Sequence, residues 1–418
     1  MKTISVIGLG NRGTEYMMFV KMFCKNVKIV ALCDTSAQAL TDIAPRYKIP
    51  RDKCFSSTND FFAQGKISDA VFICTQDKTH YEIGRRAIEI GYHILMEKPV
   101  SDNLTECIEL MDLSKQHNVN MVVCHVLRYS NYYQKIKNCI RDGILGDIVN
   151  INHIENVGYF HFAHSYVRGN WKSEKTATPS LMAKCCHDLD LIQWFMGSEC
   201  TSVSSYGELS IFKKQNAPAN AAEKCVDCKV EKCPYNAVNL YLKDPFWKAK
   251  FVKYMRRTLT GKTGASKADV LEALKNGDYG KCVYHSENDV CDHQIVAMQF
   301  ANGATATHTL NAFSNKMMRE SRIVGTKGEL IATDKKLVLN IFGGRKRTLI
   351  AGSLITGHIE GDYRTVIAFC KLLNGKLDES LMQDVTFISD TIASHQIVMA
   401  AEKSRHNGGI PVDPQKII

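Results

Sequence analysis

Within the first thirteen residues an apolar, β-branched run, Ile4-Ser5-Val6-Ile7, feeds directly into Gly8-Leu9-Gly10-Asn11-Arg12-Gly13. G-x-G-x-x-G at the end of a strand is the phosphate-binding turn of a dinucleotide fold. Gly8 allows the tight turn, Gly10 lets the main chain approach a pyrophosphate, and Gly13 lets the next helix pack on the sheet. Asn11 and Arg12 fill the turn where the helix amino terminus faces the phosphates. A second strand, Val27 to Cys33, ends in Asp34, 21 residues after Gly13. A carboxylate there takes the ribose diol and repels a 2′-phosphate. Thr35 and Ser36 supply no arginine to offset that repulsion, so the expected cofactor is NAD.

Strand and helix patterns keep alternating: strand 70–74, helix 79–90, strand 93–96, helix 103–117 and strand 120–124. That order predicts a doubly wound parallel sheet over residues 1–124. Ligands in such sheets bind beyond the carboxyl ends of the strands, which places Thr75, Gln76, His80, Glu97 and Lys98 where a nicotinamide and a substrate would meet. Pro99 restrains Lys98 to extended backbone. A cleft could lower the Lys98 pKa enough for proton exchange with a hydroxyl, while a plain Glu97–Lys98 surface ion pair is the alternative.

Residues 125–418 form the second unit, with an insert at about 213–281 that carries both cysteines and positive charge. The net charge is +10. Eight basic residues between Lys243 and Lys267 face a single aspartate, Asp244, and Phe246, Trp247, Phe251, Tyr254 and Met255 are interleaved with them. This reads as an amphipathic basic helix with a solvated face or a docking role. It lacks recognition-helix or finger spacing, so no nucleic-acid partner is expected. No apolar run approaches the ~20 residues of a membrane span. Sixteen cysteines, mostly set in apolar stretches, suit a reducing cytoplasm.

Gly8-x-Gly10-x-x-Gly13, Asp34 and Glu97-Lys98-Pro99, together with His187-Asp188-Leu189-Asp190, Trp194 and Gly325-Thr326-Lys327-Gly328-Glu329-Leu330, resemble the Gfo/Idh/MocA oxidoreductases. The resemblance implies an N-terminal Rossmann domain and a C-terminal α+β domain with a large, open, mainly antiparallel sheet. It also implies hydride exchange between a nicotinamide and a sugar or polyol carbon, with Lys98 and His187 at the reacting hydroxyl. The open sheet face of such proteins commonly joins subunits, so a homodimer or homotetramer is expected. One departure is Ala183, which stands where the family's helix carries an aspartate four residues before the histidine. Lys184 lies three residues before His187 and shares its helix face, so it could complete the catalytic set or pair with Asp188.

The stretch from Asn156 to Trp171 is dense in aromatic and polar side chains. Tyr159, His161, His164, Arg168 and Trp171, with Arg128 and His293, suit a sugar, whose C–H faces stack on rings and whose hydroxyls need polar partners. In the insert, Cys225, Cys228 and Cys233 form C-x2-C-x4-C. Three thiolates need a fourth ligand for a structural zinc, Cys282 first and His285 second. The function this sequence predicts is NAD-dependent oxidation or reduction at a hydroxyl carbon of a sugar, sugar derivative or cyclitol. Two alternatives stand beside it: a redox-neutral glycoside hydrolase working through a 3-keto intermediate, with Lys184 and His293 as extra bases, and a nucleotide-sensing regulator on the same fold.

Overall fold

A computed structural model describes residues 1–243, 249–262, 264–333, 336–344, 347–350, 358–378 and 382–417. Phe246, Trp247 and Lys248 of the basic stretch lie outside them. The first sheet contains β1 (Lys2–Ile7), β2 (Val27–Cys33), β3 (Cys54–Phe55), β4 (Ala70–Ile73), β5 (His93–Met96) and β6 (Met121–Val123). All pairs are parallel, in the order β3-β2-β1-β4-β5-β6. Strand order therefore reverses between β1 and β4, the switch point beyond which doubly wound sheets bind ligands.

Helices α1 (Asn11–Phe23), α2 (Ala37–Tyr47), α3 (Thr58–Phe62), α4 (His80–Ile90) and α5 (Leu104–Gln116) join these strands. Their starts follow side-chain caps where the sequence offers them. Ser36 accepts from the Ala39 amide at 3.2 Å and Asn103 from the Thr105 amide at 3.0 Å. β4 is buried along its whole length, as expected of a parallel strand covered on both faces.

The second unit begins with α6 (Asn131–Arg141), β7 (Ile148–Asn156), α7 (Tyr159–Phe162) and a π-helical turn over Ala163–Val167. α8 (Ser180–Met196) and β8 (Cys200–Glu208) follow, and then the insert helices α9 (Ala237–Leu242), α10 (Ala249–Thr260) and α11 (Lys267–Asn276). β9 (His293–Phe300), β10 (Thr305–Asn311), β11 (Met318–Gly325), β12 (Gly328–Thr333), β13 (Lys336–Ile341) and β14 (Arg347–Ile350) complete an eight-stranded sheet ordered β14-β13-β12-β11-β7-β10-β9-β8. Among the described residues only its β7–β10 pair is parallel. β9 alternates exposed and buried residues without a break, so one face is covered and the other open. α8 lies against the covered face, and fifteen of its seventeen residues are buried.

The chain then returns to the first sheet. α12 (His358–Leu373) places Val366, Phe369 and Cys370 in one apolar cluster with Ile4, Val6 and Leu32. Ahead of α13 (Ile388–His406), the Val123 amide donates to the Thr386 carbonyl at 2.8 Å, extending the sheet edge beside β6. The site between the two sheets is thereby fastened from both ends of the sequence. Among the described residues no helix is long and apolar enough to cross a membrane.

Candidate active site

At the end of β1 the backbone explains the glycine spacing residue by residue. Gly8 has φ +93°, and a Cβ there would meet the Cys74 carbonyl at 2.5 Å. A Cβ on Gly13 would lie 2.0 Å from the Gly8 carbonyl, whereas one on Gly10 would meet nothing within 4 Å. The middle glycine thus faces open space at the amino terminus of α1, whose first turn holds no acidic residue. Asp34 closes the far side. Its carboxylate accepts from the Leu9 amide at 2.6 Å and the Ser36 amide at 2.7 Å. These residues fit a dinucleotide: Gly8, Gly10, Asn11 and Gly13 would hold the pyrophosphate and Asp34 the ribose. Thr75 and Gln76 follow β4 on the same rim, half-buried and exposed.

Arg12 turns under the loop. Its guanidinium meets Glu97 at 2.7 Å and Asp362 of α12 at 2.6 Å, and Tyr16 donates to Glu97. Burial pushes the Glu97 carboxyl up, but the Arg12 charge and the Tyr16 hydrogen bond hold it below the usual range. Arg12 therefore joins Glu97 to α12 through Asp362, and the Lys98 ammonium has another partner.

Lys98 donates from Nζ to the main-chain oxygen of Ala183, in the turn of α8 before His187. The segment carrying it is held from both sides. His80, fully buried, sets its ring between the Pro99 and Thr75 carbonyls at 2.7 and 3.2 Å, while the Val100 amide donates to Nε2 of His395 at 3.2 Å. The His187 ring meets that of His125 edge-on at 5.8 Å, and His125 meets His395 at 6.1 Å. His161 is held well below the ordinary histidine range by burial and then by the charges of Lys184, His164 and Lys98. Burial, Arg128 and Lys98 do the same to His125. Neutral imidazoles thus surround a lysine whose ammonium is bonded to backbone, an arrangement suited to passing a proton to and from a hydroxyl.

Lys184 takes neither of the partners its spacing suggests. It pairs with Glu155 of β7 at 3.2 Å, and Arg319 of β11 bridges Glu155 at 2.9 Å to Asp188 at 2.6 Å. Nε2 of His153 lies 2.8 Å from the same Asp188, which is wholly buried. Burial pushes Asp188 up, but Arg319 and His153 hold it far below the carboxylate range. This charged floor lies across three elements distant in sequence.

The expected substrate residues divide. Trp171 donates to Asp77 of the first domain at 3.0 Å and spans the cleft. Tyr159 meets Phe160 and Tyr235 edge-on. Arg128 is locked to Asp190 through two bonds of 2.7 and 2.6 Å. His164 and Arg168 turn into the insert, His164 toward Tyr241 at 2.8 Å and Arg168 toward the Lys281 and Tyr235 carbonyls, both at 2.7 Å. His293 is half exposed, 2.8 Å from Asp292. Its neighbour Gln294 bonds to Glu402 of the covering helix α13, so strand alternation puts His293 on the opposite face from His187. Cys225, Cys228, Cys233 and Cys282 line one small cavity together with Arg168.

Glu155, Arg319, His125 and Asp362 escape a reading of the sequence because each contributes through a long-range partner. One signal was available for Glu155: His153 and Glu155 share the period-two face of β7 with buried Ile151, and ionisable groups on an inward face need partners.

Two family models match, one described as an oxidoreductase family with an NAD-binding Rossmann fold over residues 2–125, the other as its C-terminal alpha/beta domain over residues 137–348. YteT of Bacillus subtilis (strain 168) is 23% identical over 350 residues, covering 79% of this chain and 76% of that protein. A glycosyl hydrolase family 109 protein of Streptomyces coelicolor is 28% identical over 181 residues, 40% of this chain and 37% of that one. An oxidoreductase from Agrobacterium radiobacter, solved with NAD+, L-tartaric acid and magnesium, superposes over 100% of this chain and 99% of its own with a TM-score of 0.70 at 15% identity. With both domains matched and the dinucleotide turn built as described, the chain belongs to the Gfo/Idh/MocA family of oxidoreductases.

Proposed function

We propose that this protein oxidises or reduces a hydroxyl-bearing carbon of a sugar, sugar derivative or cyclitol. NAD on the Gly8–Gly13 turn would supply the hydride acceptor or donor, and the protein supplies orientation and proton handling. One observation carries this reading: Lys98, at the carboxyl end of β5, is bonded to the backbone of α8 beside His187. A substrate hydroxyl displacing that carbonyl contact would find the Lys98 ammonium at its oxygen and His187 alongside to move its proton. Lys184, neutralised by Glu155 and close to His161, completes the polar wall. Tyr159, His161 and Trp171 offer the ring faces and polar edge for a sugar. The structural zinc expected on the four insert cysteines takes no part in this chemistry. Free cysteines throughout suit a cytoplasmic setting, and Tyr206 and Ile295, paired across strands on the open sheet face, suit a homodimer or homotetramer.

A redox-neutral glycoside hydrolase is the second reading, favoured by the similarity to a glycosyl hydrolase family 109 protein. The test is one incubation with NAD and a panel of free sugars and aryl glycosides, following nicotinamide absorbance and aglycone release together. Stoichiometric NADH without aglycone supports the dehydrogenase. Aglycone release that requires NAD but accumulates no NADH replaces it with the hydrolase, and neither signal across the panel returns the regulator.

A further inference from the structure

The insert is the part of the molecule that the active-site chemistry does not use. Among the described residues its helices share a cluster with Phe160 in which Cys225, Ala237, Tyr241, Met255, Val270 and Leu274 are buried, and Val226, Val238 and Leu259 pack partly buried against it. Units of this size commonly draw stability from a staple as well as from an apolar core. The two ends of the insert meet at a bridge between Lys224 and Lys281. There the Cys225 amide donates to Gly280 at 2.8 Å and the Cys282 amide to Glu223 at 2.9 Å. That pairing sets Cys225 beside Cys282, at the mouth of a cavity of about 10 Å³ that Cys228 and Cys233 also line. The space holds about one water-sized sphere.

Arg168 lines the same cavity. It is 2% exposed, it donates to the Cys225 sulfur at 3.5 Å, and its Nη1 has no hydrogen-bond partner among the described residues. A buried guanidinium beside four thiols is the complement for sulfur in its thiolate form. The four sulfurs do not converge on one point, and rotation about χ1 is the motion that would turn them inward.

At its other end the insert reaches the nucleotide turn. Arg257 of α10 donates to the Thr14 hydroxyl at 3.0 Å and lies 3.5 Å from the Leu9 carbonyl, and Asn11 donates to the Thr258 hydroxyl at 3.0 Å. A cation at the amino terminus of α1 is placed for a pyrophosphate.

We propose that Cys225, Cys228, Cys233 and Cys282 bind one zinc ion, and that this staple holds α10 so that Arg257 serves the dinucleotide phosphates. On binding, each of the four thiols gives its proton to solvent and the ion accepts four sulfur lone pairs. Arg168 offsets one of the two resulting negative charges. No electron transfer is involved, and the ion is structural.

The experiment uses the full-length protein without a histidine tag. Elemental analysis should find about one zinc per chain. Exchange into cobalt(II) should give the intense sulfur-to-metal bands and visible absorption of a tetrahedral thiolate site. Protein that is folded by circular dichroism but holds no zinc, and takes up cobalt without those bands, overturns the site. For the coupling, NAD affinity is measured by calorimetry before and after chelation, and in Arg257→Ala. Removing the metal and removing Arg257 should each weaken NAD binding about tenfold, and the double change should weaken it little further. Unchanged affinity in either case overturns the coupling. Because Cys228→Ser could fail to fold, Arg168→Gln gives an independent reading of the site. It should retain the fold yet lose zinc to a competing chelator faster than the parent, and equal release rates count against the cradle.

Discussion

Lys98 donates its ammonium proton to the carbonyl of Ala183, four residues before His187 on α8. The contact ties the carboxyl end of a Rossmann strand to the helix that floors the second domain, and it puts an exchangeable donor where a substrate oxygen can replace a backbone one. Lys98→Met keeps the length of the side chain and removes the charge. Oxidation should fall by at least ~10³-fold, about 4 kcal/mol of lost transition-state stabilisation, with NAD affinity within about threefold of the parent. A collapse of NAD binding in calorimetry would show that Lys98 builds the cofactor site instead.

The two inner glycines of the turn should fail in different ways. Gly13→Ala puts a methyl 2.0 Å from the Gly8 carbonyl, and main chain cannot step aside, so thermal stability and soluble yield should both drop. Gly10→Ala meets no protein atom within 4 Å. It should melt with the parent and yet lose NAD affinity about tenfold or more, since the methyl occupies space meant for phosphate. Equal affinity for NAD in Gly10→Ala would move the pyrophosphate away from this turn.

Asp34 is fixed beyond the carboxyl end of β2 by two amides, those of Leu9 and Ser36. Asp34→Ala should narrow the preference for NAD over NADP by about tenfold or more, by removing both the diol acceptor and the repulsion of a 2′-phosphate. Affinities for the two nucleotides, measured side by side, decide it, and an unchanged ratio refutes the diol assignment.

What could be read from the sequence follows how local each cause is. The Rossmann half is legible because its strands are continuous apolar runs, its turn needs glycine, and Asp34 and Lys98 sit at strand ends, where side chains point at the ligand cleft. His187 is legible through the helix motif alone. Helical spacing points Lys184 at His187 and Asp188, but its partner, Glu155, comes from a strand about thirty residues earlier. Arg12 and Arg168 look like ligand cations in sequence. Asp362, some 350 residues away, claims one, and the insert carbonyls claim the other. Buried charge is settled by tertiary partners, and those are what periodicity and spacing leave out.

Arg128 is a test of that principle. Both it and Asp190 are almost wholly buried, and their two bonds are the fork geometry of a guanidinium on a carboxylate. Arg128→Ala strands a buried carboxylate and should cost about 3–5 kcal/mol of stability, read as a shift in urea midpoint, with KM for substrate changed little in the protein that folds. A variant of parental stability with a raised KM would return Arg128 to the substrate.

Acid sensitivity follows from the buried histidines. Burial lowers the pKa of His164, His308 and His395 to about 3 in the folded protein, against about 6.5 in an unfolded chain. Between those values the unfolded state binds more protons, so stability rises with pH across the window. The contribution is complete above about pH 6.5 and is lost as pH falls toward 3. Urea midpoints should therefore be flat from pH 8 to 7 and decline steeply from about 6 to 4. His308 stacks on His153 at 5.7 Å, and neither of its ring nitrogens has a hydrogen-bond partner among the described residues. His308→Phe keeps the ring and removes the titration, so its acid limb should be shallower than the parent's. Superimposable limbs would show that other groups, the buried Asp188 carboxylate first among them, set the acid transition.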